Sequence, residues 1–409
     1  MRKMDIDSQV TYLMQGAEYG DDVMKAVMSE ELRLRLIEAN QECRPLRVYC
    51  GFDPRTSDLH LGHTVPMRKL RQFQELGHEV TFLVGTYTSL IGDPSDQDKL
   101  RPQLTHEEAH HNARTYAEQA YKVLEREKTE VRFNAEWLSV LSFEDVIKLA
   151  SNFTIQQFLE RDNFRIRWDK GDPIYLHETF YAIMQGYDAF MLQADVQIGG
   201  SDQLFNIVTA ARKLMPYLGA KPNVAIILGI LPGTDGEVKM SKSLGNHIPL
   251  LSTPEDMYGK VMSVPDKAMG QYLRLLTRWT PDEITEFETG MADGRFHPRD
   301  VKMKLANEIV SIFYSKEDAV QAEGAFVRVF QKRKLPQEMD EFRLQPGQSV
   351  LDVLTDSELV KSKSEGRRLI AQNGVRLDGE SLNDPYQDFP HTGVLQVGKR
   401  RFLRVVSEG

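Results

Sequence analysis

The stretch LRVYCGFDPRTSDLHLGHTVPMRKLRQFQELGHEVTFLVG, residues 46–85, decides the fold. It opens with a short β-prone run, LRVYCGF, that ends in the turn-rich segment DPRTSD. Apolar residues then recur at helical spacing, and we expect this helix to begin near Gly62 because Pro66 fits only in a first turn. A second buried strand, Glu79–Gly85, completes a βαβ unit, which predicts a parallel sheet with its ligand at the strand ends.

The chain beyond this unit alternates between helical and strand patterns. A long helix is predicted over Thr105–Lys128, with more helical pattern as far as Leu159 and again over His177–Met191. Two further strands are predicted in ADVQIGGSDQ and in NVAIILGILPG, the second being apolar throughout, as parallel strands tend to be. The pattern therefore predicts an α/β fold built on a parallel sheet.

The pattern changes after KMSKSLGNHIPL. It is helical to about Val329, and charged segments with Pro336 and Pro346 then suggest a linker. Residues 345–409 are β-rich and turn-rich, which predicts a small separate α+β module. Residues 347–409 hold nine Lys or Arg and nine Asp or Glu, so the rest of the chain carries the whole net charge of -9. The basic clusters KSKSEGRR and GKRRFLR fit either a solvated surface or a phosphate-binding face.

Composition excludes several classes of protein. The 409 residues are 41% hydrophobic and 27% charged, as in a globular protein of two or three domains. No stretch approaches the roughly 20 apolar residues of a membrane span, and the N-terminus is too acidic for a signal or transit peptide. Cys43 and Cys50 are too few for a disulfide framework, so we expect a cytoplasmic protein.

His60 and His63 form an HxxH pair that a metal site, a plain surface or an anion site would each explain. A zinc site needs three or four ligands, and only Asp53 and Asp58 lie near in sequence, so no protein-held metal is predicted. The pair stands at a strand-to-helix turn, where free backbone N–H groups and the helix dipole favour anions. With Gly62 leaving room for a flat ligand, this position suits a nucleotide whose phosphates lie beside both imidazoles.

A second pair of polar residues, Lys239 and Lys242, lies in EVKMSKSLGN between glycine-containing segments. A K-x-x-K pair is usually a solvated loop. Here the flanking glycines make a hinge plausible, and two lysines on a hinged loop can close over a polyphosphate whose charge grows in the transition state.

Together, HLGH after the first strand and KMSKS about 180 residues later resemble the paired signature of class I aminoacyl-tRNA synthetases. YCGFDP, IGDPS, FYAIMQGYD and VQIGGSDQ further resemble the bacterial type of tyrosyl-tRNA synthetase, over about residues 30–250 and more loosely to the C-terminus. The resemblance implies a Rossmann-like, doubly wound parallel-sheet nucleotide-binding domain over 1–248, with a helical insertion at about 125–185 that forms a homodimer. It implies an α-helical, anticodon-proximal domain over 249–335 and a small α+β RNA-binding module over 345–409.

The reaction implied has two steps. L-tyrosine and ATP give tyrosyl-adenylate and pyrophosphate, and tyrosine then passes to the 3′-terminal ribose of tRNA(Tyr). His60 and His63 would stabilise the developing phosphate charge from one side, with Lys239 and Lys242 on the other, and no protein nucleophile is needed. Magnesium would accompany ATP, held mainly by the phosphates.

Substrate contacts are implied position by position. Tyr49 and Asp188 would meet the phenol hydroxyl, since an ionised Asp can only accept a hydrogen bond and a Tyr can donate one. Tyr181, Gln185 and Asp188 stand at i, i+4 and i+7, which places them on one face of a single predicted helix. The remaining assignments are Asp93, Tyr181 and Gln185 for the ammonium, Gln203 near the carboxyl end, Gln197 as pocket support, Asp53, Gly62, Gly200, Asp202 and Lys242 for ATP, and Arg367, Arg368 and Arg376 for tRNA phosphates.

Two positions depart from the family pattern. Arg55 stands where the family usually has Thr after GFDP, and Gln97 stands where it usually has Lys or Arg in the loop after IGDP. We hypothesise that Arg55 compensates for the missing cation, two neutral surface changes being the alternative.

Three other functions compete with this interpretation. Tryptophanyl-tRNA synthetases share fold and signatures, but the Tyr49 and Asp188 pair counts against them. A non-catalytic RNA-binding or splicing protein on a synthetase scaffold does not account for the intact histidines and lysines. Other nucleotidyltransferases share H-x-G-H and leave the tyrosine-pocket residues unexplained.

Overall fold

The computed structural model describes residues 4–54, 58–95, 105–328, 339–398 and 401–407. The chain divides into two compact units, Met1–Glu323 and Gly324–Gly409. The strands of the first are β1 (Arg47–Phe52), β2 (Glu79–Val84), β3 (Thr129–Phe133), β4 (Val196–Gly200) and β5 (Val224–Leu228), and those of the second are β6 (Glu341–Leu344), β7 (Val375–Leu377), β8 (Glu380–Ser381), β9 (Gly393–Val397) and β10 (Arg401–Ser407).

The first unit is built on a parallel sheet with the strand order β3-β2-β1-β4-β5. β1 pairs in parallel with both β2 and β4, so Tyr49 faces Thr81 on one side and Gln197 on the other. This order reverses direction at β1, which is the doubly wound arrangement of Rossmann-like folds and puts a ligand crevice at the carboxyl ends of β1 and β4. The predicted fold class is confirmed.

The described part of the chain also forms the following helices. Their bounds are α1 (Ile6–Leu13), α2 (Asp22–Gln41), α3 (Leu61–Glu75), α4 (His106–Ala120), α5 (Ala135–Leu138), α6 (Phe143–Ala150), α7 (Ile155–Leu159), α8 (Asp162–Lys170), α9 (Leu176–Met191), α10 (Arg212–Tyr217), α11 (Pro254–Met262), α12 (Met269–Leu276), α13 (Pro281–Ala292), α14 (Pro298–Phe313), α15 (Lys316–Phe326), α16 (Val350–Asp356) and α17 (Lys363–Ala371). Helices α5 to α9 lie between β3 and β4, where the insertion is predicted.

The helix of the βαβ unit begins where the sequence predicts, with one difference. α3 starts at Leu61 with His60 as its N-cap, so Pro66 lies in its second turn and not its first. Because proline has no N–H, the Gly62 carbonyl lacks the usual helical donor there. The apolar face of α3 packs into the core through Val65, Leu70 and other buried residues.

The prediction of one long helix over Thr105–Lys128 is wrong. α4 ends at Ala120, and the chain then forms β3 over residues predicted to be helical. β3 is an edge strand of the sheet, and Glu130 on it is exposed. An edge strand needs no continuous apolar run, so it lacked the signal by which the central strands were predicted.

The opposite edge of the sheet is covered by the N-terminal segment. Ala17 forms an antiparallel bridge with Leu228, and the Glu18 backbone N–H donates to the Ile227 carbonyl at 2.7 Å. This pairing gives edge strand β5 partners on both sides, and β5 is buried throughout.

The second unit is a mixed sheet of order β6-β10-β9-β7-β8 with α16 and α17. It has its own apolar core, which includes Val353, Ile370 and Leu395. Its first strand begins at Glu341, four residues before the predicted boundary at 345. Within the described ranges, no helix is long and apolar enough to cross a membrane.

Candidate active site

A cleft of about 510 Å³ opens at the carboxyl ends of the parallel strands. Strand-end clefts collect ligands in doubly wound folds because the sheet reverses direction there. All but one of the residues predicted to act in catalysis or in binding of tyrosine and ATP line this cleft. They are Tyr49, Asp53, His60, Gly62, His63, Asp93, Tyr181, Gln185, Asp188, Gly200, Asp202, Gln203, Lys239 and Lys242. The exception, Gln197, is buried behind the cleft and accepts a hydrogen bond from Asn223 at 2.6 Å.

One end of the cleft holds two buried polar groups, the Tyr49 hydroxyl and the Asp188 carboxyl group, which differ in their hydrogen bonds. The Tyr49 hydroxyl is buried and has no hydrogen-bond partner among the described residues. Asp188, only 2% exposed, accepts from Trp137 Nε1 at 2.7 Å and from Asn134 Nδ2 at 3.2 Å. Burial raises the pKa of Asp188 to about 7, although the two N–H donors act to lower it.

A chain of hydrogen bonds connects this end of the cleft to its centre. Asn134 donates both to Asp188 and to Thr88 Oγ1, at 3.1 Å, and Thr88 donates to Asp53 Oδ1 at 2.8 Å. The Tyr181 hydroxyl donates to the other Asp53 oxygen at 3.0 Å. Asp53, assigned above to ATP, therefore also contacts a residue assigned to tyrosine.

Sequence reasoning missed three residues of this network: Thr88, Asn134 and Trp137. Asn134 follows the carboxyl end of β3 directly, which is the position where ligand-site residues are expected in a parallel sheet. Recognising β3 as a strand would have been the signal for it. Trp137 lies one helical turn further on, in α5.

Oxygen acceptors meet at a second point in the cleft. Asp93 accepts from Gln203 Nε2 at 2.6 Å through one oxygen, and from the Ser95 backbone and hydroxyl at 2.9 and 2.6 Å through the other. Gln185 Oε1 is buried and, within the described part of the chain, has no donor. In this structure Gln203, which is expected near the carboxyl end of the substrate, contacts Asp93, the residue assigned to the substrate ammonium.

The two histidines cap helix α3 reciprocally. His60 Nδ1 accepts from the Gly62 backbone N–H, and His63 Nδ1 accepts from the His60 backbone N–H, each at 3.2 Å. This is a capping box made of imidazoles. Because both Nδ1 atoms are acceptors, each neutral ring carries its proton on Nε2.

Their charge state follows from burial. Burial lowers the pKa of His60 to about 2, with the charges of His63, His247 and Lys239 adding to the effect. It lowers the pKa of His63 to about 4, with Lys239 the next cause. The ring centroids are 3.9 Å apart, which is too close for two imidazolium ions. At neutral pH the pair is therefore a set of neutral Nε2–H donors.

The lysine loop lies over the same cleft. Lys239 Nζ forms an ion pair with Asp202 at 2.9 Å, and Lys242 Nζ forms one with Asp58 at 3.0 Å. Asp58 was considered above only as a metal ligand, and its pairing with a lysine far along the chain gave no sequence signal. The loop conformation thus places both cations beside carboxylates at the cleft.

Backbone hydrogen bonds join the two signature segments. The Leu61 N–H donates to the Ile248 carbonyl at 3.0 Å, and the Leu250 N–H donates to the Leu59 carbonyl at 2.9 Å. The segment that follows the lysine loop is therefore paired with the segment that begins α3, which holds the histidine and lysine pairs in register.

Other predicted residues lie elsewhere. Arg55 and Gln97 fall outside the described residues. Arg367 and Arg368 on α17 and Arg376 on β7 are exposed in the second unit. Across the described ranges there is no group of three or more His, Cys, Asp or Glu that could hold a metal ion.

Comparison with known proteins places this geometry in a family. The family model of class I tRNA synthetases for tryptophan and tyrosine matches residues 41–331. The tyrosine–tRNA ligase of Thermotoga maritima is 45% identical over 386 residues, which cover 94% of this chain and 95% of that protein. That of Haemophilus influenzae is 47% identical over 371 residues, covering 90% and 92%. The chain belongs to the bacterial-type tyrosyl-tRNA synthetases.

Solved structures at lower identity share the fold. A C-terminally truncated mitochondrial tyrosyl-tRNA synthetase of Aspergillus nidulans has a TM-score of 0.63 at 24% identity, over 79% of this chain and 94% of that one. The tyrosyl-tRNA synthetase of Archaeoglobus fulgidus, solved with L-tyrosine, has a TM-score of 0.59 at 24% identity, over 78% and 100%. As a member of this family, the chain is an aminoacyl-tRNA ligase that uses ATP. Its membership favours a tyrosyl-tRNA synthetase over a tryptophanyl-tRNA synthetase and over a non-catalytic RNA-binding protein.

Proposed function

We propose that the chain activates L-tyrosine with ATP in the strand-end cleft, giving tyrosyl-adenylate and pyrophosphate, and then transfers tyrosine to the 3′-terminal ribose of tRNA(Tyr). The observation that carries this proposal is the buried Tyr49 hydroxyl, which has no partner among the described residues. Burial, and then the charge of Asp188, raise the pKa of Tyr49 well above its usual range, so this hydroxyl stays a donor.

A phenol satisfies both groups at that end of the cleft. Its O–H donates to Asp188, and its oxygen accepts from Tyr49. Phenylalanine would leave the Tyr49 hydroxyl and a buried Asp188 oxygen without the ligand hydrogen bonds, and unmade bonds of this kind carry a large desolvation cost. The ammonium of the same substrate would lie against Asp93, the Tyr181 hydroxyl and Gln185 Oε1. Gln203 would adjoin the carboxyl end, and Gln197 would support the pocket from behind.

The first chemical step is a direct displacement. The tyrosine carboxylate attacks the α-phosphate of ATP in line, and pyrophosphate leaves. His60 and His63 contribute neutral Nε2–H donors, while Lys239 and Lys242 exchange their carboxylate partners for the phosphates as negative charge moves onto them. Positioning and electrostatics supply the rate, without a protein nucleophile. Magnesium would be held by the phosphates, consistent with its preference for phosphate and water ligands.

ATP would lie between Gly62 and the strand ends. A Cβ at Gly62 would stand 3.0 Å from the His60 imidazole and 3.6 Å from Met240 Cβ, so the glycine keeps the surface between them open. Asp53, Gly200 and Asp202 border the same part of the cleft and would contact ribose and adenine.

The direct test is amino-acid-dependent ATP–pyrophosphate exchange with tyrosine, tryptophan and phenylalanine side by side. We expect stimulation by tyrosine alone. Stimulation by tryptophan alone would contradict the substrate assignment, and no stimulation by any of them would contradict the activation step.

We also propose a homodimer formed through the helical insertion at about 125–185. Large apolar side chains are exposed there, including Phe143 at 79% and Leu176 at 68%, and clustered exposed apolar residues mark interfaces. We expect Phe143→Glu/Leu176→Glu to sediment as a monomer, while Val23→Glu, at a similarly exposed apolar site on α2, leaves the dimer intact. A wild-type chain that sediments as a monomer would contradict the proposal.

The C-terminal module over 345–409 would bind tRNA phosphates through Arg367, Arg368 and Arg376, with the helical domain over 249–335 approaching the anticodon. All three arginines are exposed, as phosphate contacts require. A cytoplasmic location follows from the proposed role in charging tRNA(Tyr).

A further inference from the structure

Arg161 is a buried cation that the proposed chemistry does not use. It is the N-cap residue of α8 and is only 5% exposed. Its guanidinium lies 4.9 Å from the Phe205 ring centroid and 5.1 Å from that of Phe164. Its Nη1 has no hydrogen-bond partner in the described part of the chain, and no described carboxylate forms an ion pair with it. Burying a guanidinium without a carboxylate is costly, so its other contacts matter.

Among the described residues, the one hydrogen bond of this guanidinium leads to the ammonium end of the cleft. Arg161 Nη2 donates to Ser95 Oγ at 2.8 Å, and Asn206 Nδ2 donates to the same oxygen at 3.3 Å. A serine hydroxyl has two acceptor positions and one proton. With both acceptor positions taken, its proton is directed to Asp93 Oδ1, which lies 2.6 Å away.

The other contacts of Asp93 complete the arrangement. The Ser95 backbone N–H donates to the same Oδ1 at 2.9 Å, and Gln203 holds Oδ2 at 2.6 Å. Both carboxylate oxygens are thereby fixed in direction, and the Arg161 bond determines which way the Ser95 hydroxyl points. Removing it would leave that hydroxyl free to rotate away from Asp93.

We infer that Arg161 is a positioning residue for the substrate ammonium, which acts through Ser95 to orient the Asp93 carboxylate. The inference rests on the proposed function, in which Asp93 binds the ammonium of tyrosine. It assigns to the start of α8 a part in substrate binding.

The test separates the ammonium from the rest of the substrate. Tyramine has the phenol and the ammonium, whereas 3-(4-hydroxyphenyl)propionate has the phenol and the carboxylate but no ammonium. Inhibition constants for both are measured in tyrosine-dependent ATP–pyrophosphate exchange, with KM for tyrosine and for ATP. The variants are Arg161→Gln, Arg161→Lys, Ser95→Ala and the double variant Arg161→Gln/Ser95→Ala.

We expect Arg161→Gln to weaken tyramine binding and raise the tyrosine KM by about tenfold, as for loss of a hydrogen bond to a charged group. Binding of the propionate and the KM for ATP should change by less than about twofold, since neither uses Asp93. Ser95→Ala should act in the same direction, and the double variant should be no worse than the worse single variant, because the two residues form one path. Arg161→Lys, which keeps the charge and most of the volume, carries the test if Arg161→Gln does not fold.

Arg68 supplies the matched control. It is also a 5% exposed arginine with guanidinium nitrogens that have no partner among the described residues, and it does not contact Asp93 or Ser95. Arg68→Gln should leave the ratio of the tyramine and propionate inhibition constants unchanged, whatever it does to the melting temperature. Equal weakening of both analogues by the Arg161 variants, or strictly additive losses in the double variant, would overturn the inference. A wild-type chain without tyrosine-dependent exchange would instead overturn the proposed function.

Discussion

Tyr49 and Tyr272 are both buried tyrosines, and they differ in what their hydroxyls contact. Tyr272 donates to the Pro232 carbonyl at 2.8 Å, whereas Tyr49 has no partner among the described residues. A buried hydroxyl without a partner destabilises the fold, and one with a partner stabilises it modestly. Tyr49 is therefore better explained by ligand binding than by folding.

The first prediction follows from this contrast. Tyr49→Phe should leave the free energy of unfolding of the ligand-free chain unchanged or raise it by up to about 1 kcal/mol, while the tyrosine KM rises about tenfold. Denaturant unfolding and pyrophosphate exchange measure the two effects. Tyr272→Phe, the control, should lower the stability by about 1 kcal/mol and leave the tyrosine KM unchanged. A loss of stability in Tyr49→Phe similar to that of the control would argue against the phenol site.

The second prediction concerns pH. The ligand-free pKa of Asp188 is about 7, raised by burial, and the proposed phenol contact needs the carboxylate. As the pH falls through about 7, protonation removes the acceptor, so the tyrosine KM should rise by up to about tenfold per pH unit. The same raised pKa means that the contribution of Asp188 to the stability of the ligand-free fold is fully present below its ordinary pKa of 3.8 and is lost as the pH rises from there to about 7.

Titration of the histidines should not cause this rise in the tyrosine KM, because burial lowers the pKa of His60 to about 2 and that of His63 to about 4. The KM for ATP should accordingly stay flat from about pH 8 to about pH 6, where these rings do not change charge. An ATP KM that follows the tyrosine KM across this window would contradict the assignment to Asp188.

At the scale of single residues, the sequence motifs predicted residues that line the cleft. They did not predict the buried residues that hydrogen-bond to the lining residues from behind. His60 and Lys239 belong to short motifs at a strand end and in a glycine-flanked loop, so local sequence marks them. Trp137 and Asn134 contact Asp188 from positions 51 and 54 residues away. A hydrogen bond between such distant residues has no periodicity in the sequence, and only the folded sheet brings them together.

Among the secondary-structure elements, burial decided what could be predicted. β5 is apolar along its length and α3 carries a regular apolar stripe, so both are visible as patterns. β3 lies at the sheet edge with Glu130 exposed, and its sequence pattern predicts a helix. The helical segments predicted after β3 do occur, because each has its own apolar face and caps.

The side chain of Asn246 connects separate parts of the lysine loop. Its Oδ1 accepts from the Ser241 N–H at 2.8 Å, and its Nδ2 donates to Asp235 Oδ2 at 2.5 Å. A Cβ at Gly233 would lie 2.2 Å from that Nδ2, so the glycine makes room for the contact. Asn246 thus holds the two ends of the loop that carries Lys239 and Lys242.

The third prediction is that Asn246→Ala loosens this loop. We expect kcat for exchange to fall about tenfold, because the lysines must act together in the transition state, with the tyrosine KM changed by less than about twofold. Asn307→Ala removes a comparable side-chain contact, a 2.9 Å hydrogen bond to Glu323, away from the cleft and serves as control. A rise in the tyrosine KM with unchanged kcat would show that the loop does not act at the phosphates.

On the scale of the whole molecule, the proposed binding site for the small substrates belongs to the first compact unit and not to the C-terminal module. The residues that line the cleft all fall within the first compact unit, and the second unit has a core of its own. A separate core needs its own set of apolar residues, so a division into units can be accompanied by a change of sequence pattern. How the two units are placed is not encoded in any local pattern.

The last prediction tests that separation. A chain ending at residue 328 keeps the cleft and loses the basic clusters KSKSEGRR and GKRRFLR. Tyrosine-dependent exchange should stay within about twofold, because it needs only the first unit, while charging of tRNA(Tyr) should fall at least about a hundredfold through lost phosphate contacts. The full chain with Arg367→Ala/Arg368→Ala/Arg376→Ala should show a smaller loss of the same kind and a weaker salt dependence of tRNA binding. If truncation abolished exchange as well, the second unit would be required for the fold or chemistry of the first, and the separation would be wrong.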